Sequence, residues 1–244
     1  MFSFKKLKEK FYPLKLWWRE LFVYPELKIN DPDYALYWKE RRLSSKKELN
    51  SFQKKRADFV LRVIKPLSSI IDIGCGDGGT LSYINQRKKL GRMIGVDFSK
   101  DALALAKERG IETFDLDILK VEELDKLPRS DYVFLFEIIE HLSNSEEILN
   151  WAFENSQKGV FFSVPNTGFI VHRLRLLFGR FPLQWRVRPS EHLRFWTVRD
   201  MKWWLKEQNY RNFKIYLYEG VPILNKIWPA LFGQGIFIFI RKNM

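Results

Sequence analysis

The chain has little sulfur chemistry and few histidines to work with. One cysteine, Cys75, excludes an internal disulfide framework. The three histidines, His141, His172 and His192, stand too far apart in sequence to suggest a metal site, and no Cys/His spacing of the metal-binding kind occurs. No apolar run approaches the roughly 18 residues of a membrane-spanning helix. The N-terminal stretch intersperses its apolar residues with lysines, so no secretory signal is expected. Internal repeats and low-complexity tracts are missing as well. Acidic charge is in deficit: 29 Asp and Glu oppose 42 Lys and Arg, a net charge of +13. Such a balance suits an anionic partner, whether nucleic acid, lipid surface or acidic substrate. A cytoplasmic setting is the expectation, with peripheral attachment to the inner face of a membrane as its extension.

What is present is enough for a core. The 244 residues are 46% hydrophobic and 16% aromatic, the size of one α/β domain with additions. One stretch organises the rest, Ile70-Ile71-Asp72-Ile73-Gly74-Cys75-Gly76-Asp77-Gly78-Gly79-Thr80-Leu81. A short apolar run reads as a buried parallel strand. It breaks into a glycine turn and then a helical pattern near Thr80. Strand, glycine turn and helix start make a nucleotide-binding corner at the carboxyl edge of a sheet. The spacing Gly74-x-Gly76-x-x-Gly79 also fits the dinucleotide fingerprint. The acids argue against that ligand. Asp72, Asp77, Asp97, Asp115, Asp117, Glu137 and Glu140 all fall at or just after the ends of strand candidates, where they would repel a pyrophosphate. A ligand carrying a sulfonium and an ammonium would be favoured.

Asp72-Ile73-Gly74-Cys75-Gly76-Asp77-Gly78 resembles the first motif of class I S-adenosylmethionine-dependent methyltransferases, and Gly95-Val96-Asp97-Phe98-Ser99 resembles their second. The likeness runs over residues 55 to 244 and is nearest to the MetW-like group and the ubiquinone-type O-methyltransferases. It implies an α/β, doubly wound, Rossmann-like sheet of seven strands, mostly parallel with the last antiparallel. The cofactor implied is S-adenosylmethionine. Asp72, Gly74, Gly76 and Phe98 would line it, and Asp97, 23 residues past Gly74, would accept the ribose hydroxyls. Asp117 would face the adenine amino group, Ile118 its ring, and Phe136 would touch the cofactor through its main chain. Arg56 would bind its carboxylate by bidentate geometry. His141 and His192 are two candidates for a general base, and the sequence does not choose between them.

Two segments lie outside the motifs. Residues 1–50 read as a basic helical extension and lid before a methyltransferase domain at 51–244. Phe4, Leu7, Phe11, Leu14, Trp18 and Leu21 recur at helical spacing among lysines, the pattern of an interfacial helix or of one packed on the protein's own core. Residues 167–196 read as an insertion walling the acceptor pocket. Five arginines and no acid occur between Gly168 and Arg188. They suit a phosphate or carboxylate on the acceptor, or an anionic membrane.

The expected reaction is methyl transfer to an acceptor oxygen or, second, nitrogen, on a small molecule, a glycan or a lipid-linked acceptor. The MetW-like resemblance allows another outcome, a non-catalytic partner of an acetyltransferase in methionine synthesis. A nucleic-acid acceptor is disfavoured, since Val164-Pro165-Asn166 replaces the Asn/Asp-Pro-Pro-Tyr signature expected for base amino groups.

Overall fold

The computed structural model describes Leu21, residues 49–182 and residues 192–242. The expected interfacial helix, the lid helix and part of the arginine-rich insertion lie outside them. Seven strands form one sheet in the order β3-β2-β1-β4-β5-β7-β6. These are β1 (Ile70–Ile73), β2 (Met93–Asp97), β3 (Glu112–Asp115), β4 (Ser130–Phe136), β5 (Ser156–Pro165), β6 (Phe213–Tyr218) and β7 (Gly235–Arg241). β7 runs antiparallel to both neighbours, and the other pairings are parallel. The doubly wound sheet expected from the sequence is therefore present. Its strand order reverses between β1 and β4, and that is where a crevice opens beyond the carboxyl ends.

Longer helices cover both faces: α1 (Ser51–Leu61), α2 (Gly79–Arg87), α3 (Lys100–Glu108), α5 (Ser145–Asn155), α6 (Ile170–Leu177) and α7 (Val198–Glu207). Short helices α4 (Val121–Leu124), α8 (Leu224–Ile227) and α9 (Pro229–Phe232) sit in connections. Strand alternation divides the core in two. In β7, Ile236, Ile238 and Ile240 join a largely aliphatic cluster with α5 and α7, while Phe237 and Phe239 join a more aromatic one with α1, α2 and α3. β5 repeats the division, with Val160, Phe162 and Val164 against Phe161. Each such side chain, fully buried, contributes roughly 1.5–3 kcal/mol. A one-residue slip would exchange the two sets, so the packing fixes the register that aligns the strand ends.

Helix starts are set by local chemistry. The Asn50 side chain accepts the Gln53 N–H while Gln53 returns a bond to the Asn50 N–H. Thr197 and Asp200 do the same at α7, as a capping box requires. None of the helices among the described residues is long and apolar enough to cross a membrane.

Candidate active site

The crevice has two corners. The first is the glycine turn. Gly74, Gly76 and Gly78 all take positive φ, which costs glycine least. A Cβ on Gly74 would collide with the Ile138 side chain. The backbone thus turns sharply after β1, with the Gly74 and Cys75 N–H groups both donating to the Val96 carbonyl, at 2.7 and 3.0 Å. Asp97 ties the turn to β2: its Oδ2 accepts from Gly76 N–H and its Oδ1 from Ser99 N–H, each at 2.9 Å. Burial raises its pKa, and these backbone donors oppose the shift. Asp72 lies deeper, 3% exposed. Burial lifts it to about 8, against the pull of Arg56 and with the push of Asp97. Two carboxylates sharing one recess favour a cationic ligand. A sulfonium and an ammonium meet that requirement, and a fixed Asp97 retains lone pairs for hydroxyl donors.

The carboxylate rim is more divided than the sequence suggests. Asp77 accepts from Gly79 N–H at 3.1 Å and pairs with Arg109 at 3.3 Å. Asp115 is paired with Lys100 at 3.8 Å in solvent. Asp117 is exposed, with its Oδ1 taken by the Leu119 N–H at 3.1 Å and Lys120 3.4 Å from its Oδ2. Ile118 packs against the aliphatic core, and Phe98 is 60% exposed. Of these acids, Asp72 and Asp97 are the pair that lie close enough at the glycine turn to raise one another's charge cost.

Arg56 reaches the rim from α1 but arrives already engaged. It is buried, its Nη1 lies 3.2 Å from both the Tyr218 hydroxyl and Glu137 Oε1, and its guanidinium lies 5.9 Å from the centroid of the Phe136 ring. Its Nε is buried and has no hydrogen-bond partner among the described residues. Glu137 takes φ +55, uncommon for a non-glycine residue. Ser163 Oγ donates to its Oε1 at 2.7 Å. Tyr218 was missed by sequence reasoning, because its β6 position is brought to Arg56 only by the antiparallel hairpin.

The second corner follows β4. A single 3-10 turn, Ile139–His141, is held by Ser145, whose hydroxyl oxygen lies 2.6 and 2.8 Å from the Ile139 and Leu142 carbonyl oxygens and shares its one proton between them. The Glu140 carbonyl accepts from Leu193 and Arg194 N–H at 2.8 and 3.1 Å. Arg194 then clamps Glu146 bidentately, both bonds 2.9 Å, and donates to the Ser143 carbonyl at 2.8 Å. Trp204 Nε1 donates to the same Glu146 at 2.8 Å. The result places His192 across His141, ring centroids 4.6 Å apart and nearly perpendicular. Both base candidates thus reach one place. Burial, and secondly His141, pushes His192 down to about 4. Burial raises Glu140 well above the ordinary carboxylate range.

Histidines scattered along the chain argued against a metal site, yet Glu140, His141 and His192 each offer a ligand atom within 4.8 Å of the others. Sequence distance is a poor guide where a long insertion folds back on a strand end.

Three arginines of the arginine-rich stretch lie among the described residues. Arg173 Nε donates to the Gly168 carbonyl at 2.7 Å. Arg175 is fully buried, with Nε on the Phe181 carbonyl at 2.8 Å. Arg175 and Arg180 both donate to the Leu21 carbonyl at 3.4 Å. These three hold main chain; Arg186 and Arg188 lie outside the described residues. Among the described residues, two phenylalanines lie on the His192 side of this corner. Phe181 meets Phe195 edge-on at 5.6 Å, and His192 and Phe195 lie 6.4 Å apart.

Residues 37–215, well over half the chain, match the family model of a methyltransferase domain. The bifunctional methionine biosynthesis protein MetXA/MetW of Rhodopirellula baltica is 27% identical over 162 residues, covering 59% of this chain and 25% of the relative. The mitochondrial ubiquinone biosynthesis O-methyltransferase of Saccharomyces cerevisiae is 23% identical over 172 residues, covering 66% and 54%. The chain spans from a quarter to about half the length of these curated relatives. A solved SAM-dependent methyltransferase from Archaeoglobus fulgidus superposes with a TM-score of 0.61 at 20% identity, covering 86% of this chain and all of that one.

Proposed function

The chain belongs to the methyltransferase-domain family, and we propose that it transfers the methyl group of S-adenosylmethionine to the oxygen of a hydroxyl-bearing acceptor with an apolar body, of lipid-linked type. S-adenosylmethionine supplies an already activated methyl, so the protein's contribution is alignment and control of one proton. Orientation alone can contribute about 7–11 kcal/mol. Asp97 and Asp72 hold the cationic and hydroxyl groups of the cofactor, the positive-φ glycines let it approach the backbone, and the Arg56 Nε faces its carboxylate. The acceptor side is the histidine corner.

The observation that carries the oxygen assignment is the His141–His192 pair beyond β4, since a hydroxyl must lose a proton as it attacks. The apolar assignment rests on Phe181, Phe195 and Leu193, which are 51, 36 and 52% exposed beside that pair. Leu177 and Phe178 continue the apolar surface at the end of α6, at 75 and 67%. Net charge +13 favours an anionic membrane as the place where such an acceptor is met. Incubation with radiolabelled S-adenosylmethionine and a total lipid extract is expected to place label in the organic phase. Label confined to water-soluble glycans, or to amines, overturns the acceptor class.

The similarity to the methionine biosynthesis protein favours one other reading, a partner of an acetyltransferase. It predicts S-adenosylmethionine binding without transfer, together with stoichiometric copurification of that enzyme.

A further inference from the structure

Pro165, Gly235 and Tyr218 lie abreast at one end of β5, β7 and β6. The β6–β7 connection, residues 219–234, therefore leaves the sheet at its carboxyl edge, beside the crevice where the Tyr218 hydroxyl meets Arg56. Within it Ile223, Leu224, Ile227 and Trp228 are 71, 39, 73 and 58% exposed. Scattered apolar residues on a surface are ordinary, whereas a contiguous group marks an interaction surface.

The connection is tightly tied. Pro222, Ile223 and Leu224 form a γ-turn, with the Leu224 N–H on the Pro222 carbonyl at 2.8 Å and Ile223 at φ +70, ψ −55. That conformation is strained for a β-branched residue, and it sets Ile223 out in solvent, where the protein gives it little packing in return. Asn225, Lys226, Trp228, Leu231, Phe232 and Gly233 all donate their N–H groups to carbonyls of residues 221–229. The Asn225 side chain donates to the Glu219 carbonyl at 2.9 Å. Buried Asn166 clamps the returning limb, its Nδ2 donating to the Ala230 and Gly233 carbonyls at 3.1 and 2.7 Å. A main chain that satisfies its own polar groups can leave water with those bonds intact, as contact with lipid requires.

We propose that the β6–β7 connection is a membrane-docking wedge, its four apolar side chains seated in the surface of an anionic lipid bilayer. Charge favours this occupant. Lys226 is the one charged residue between Gly220 and Gly235, and it is exposed. Glu219, the acid at the foot of the wedge, is offset by Lys55 of α1. The chain as a whole carries +13, which draws it to an anionic surface. A lysine stem can lie along apolar neighbours with its ammonium among headgroups, and tryptophan prefers the same boundary. A second copy of the chain fits less well, since a stable protein interface takes about 20–30 residues a side. Docking turns the crevice edge toward lipid, so that an acceptor with an apolar body enters without crossing water. That use rests on the lipid-linked acceptor proposed above; the docking itself does not.

The test is cosedimentation of the full chain with vesicles of phosphatidylcholine and phosphatidylglycerol in equal parts. The wild type is expected in the pellet. Ile227→Ser combined with Trp228→Ser is expected to weaken partition by roughly tenfold or more. Circular dichroism and S-adenosylmethionine affinity should stay unchanged, because both side chains lie in solvent. In a second measurement Ile227→Cys carries an environment-sensitive fluorophore, Cys75 being buried. Its emission is expected to shift to the blue on vesicles, and that of a label at Trp203→Cys, on the exposed face of α7, is not. No vesicle binding, or binding that the double variant retains, overturns the wedge. Equal partition onto phosphatidylcholine alone overturns the anionic partner. Dimerisation that the double variant abolishes, without vesicle binding, assigns the surface to a second copy and overturns the proposal. Vesicle binding with no label in lipid would sink the acceptor reading and leave the docking standing; labelled lipid with vesicle binding indifferent to the connection would do the opposite.

Discussion

The glycine corner draws its residues from positions 72 to 99, consecutive strands joined by one helix. The histidine corner draws on 137–146 and 192–204, segments joined by a strand, a helix and an insertion. In the first, backbone conformation carries the chemistry: positive φ at Gly74 and Gly76, and main-chain donors on Asp97. In the second, side chains carry it, and they meet only because the Glu140 carbonyl accepts Leu193 and Arg194. A site of the first kind resists substitution at its glycines. One of the second kind should come apart at the bonds that join its two segments, leaving the first corner intact.

The largest effect is expected at Gly74→Val. The residue has φ +73 and an added Cβ meets Ile138; strain and overpacking each cost roughly 1–3 kcal/mol. Chemical denaturation should show a loss of about that size, and calorimetry should show no S-adenosylmethionine binding. A stable, binding variant would break the claim that backbone conformation makes this corner. Next comes Asp97→Ala. Hydrogen bonds to a charged group contribute about 1.5–3 kcal/mol, so S-adenosylmethionine affinity should fall at least tenfold by calorimetry; unchanged affinity would remove Asp97 from the site.

The third prediction concerns pH. Burial raises Asp72 from 3.8 to about 8 in the folded protein. The folded state then holds a proton that the unfolded state has released, so this contribution to stability is complete below about pH 4 and is lost as pH rises through about 8. Between those values one such group gives a slope of at most about 1.4 kcal/mol per pH unit. Denaturation across the window should show stability falling with pH, and Asp72→Asn should flatten the fall. Saturating S-adenosylmethionine should flatten it too, because a bound cation favours the charged carboxylate. A wild-type slope equal to that of the variant would contradict the burial of Asp72 as described.

The smallest change in stability is expected at Arg194→Ala. Its pairing with Glu146 is partly exposed, worth at most about 1 kcal/mol. Even so, methyl transfer should drop while S-adenosylmethionine affinity holds, since only the histidine corner loses its clamp. Equal loss at both corners would show that they are not separable.

How much was legible beforehand follows the same division. β2 is Met93–Asp97 as the apolar run suggests, α3 buries Ala102, Leu103 and Ala106, and Thr197 caps α7. These are local patterns, and local patterns are what a sequence displays. Charge was less legible. Seven acids near strand ends resembled one ring, but Asp77, Asp115 and Asp117 have basic or main-chain partners of their own. Likewise Arg173, Arg175 and Arg180 read as a surface for an anionic acceptor, yet each donates to a main-chain carbonyl. A charged residue's sequence neighbours do not reveal whether it faces solvent or a carbonyl.

By itself the sequence determined the strands, the glycine turn and the acid at the end of β2, because periodicity, positive φ and capping are properties of a few adjacent residues. Only the tertiary structure decided that His192 would stand over His141 beside a bare, buried Glu140, and that Tyr218 would reach Arg56. Those contacts depend on hydrogen bonds between main chains about fifty residues apart and on a strand pairing antiparallel at the far side of the sheet, and neither is set by composition or spacing.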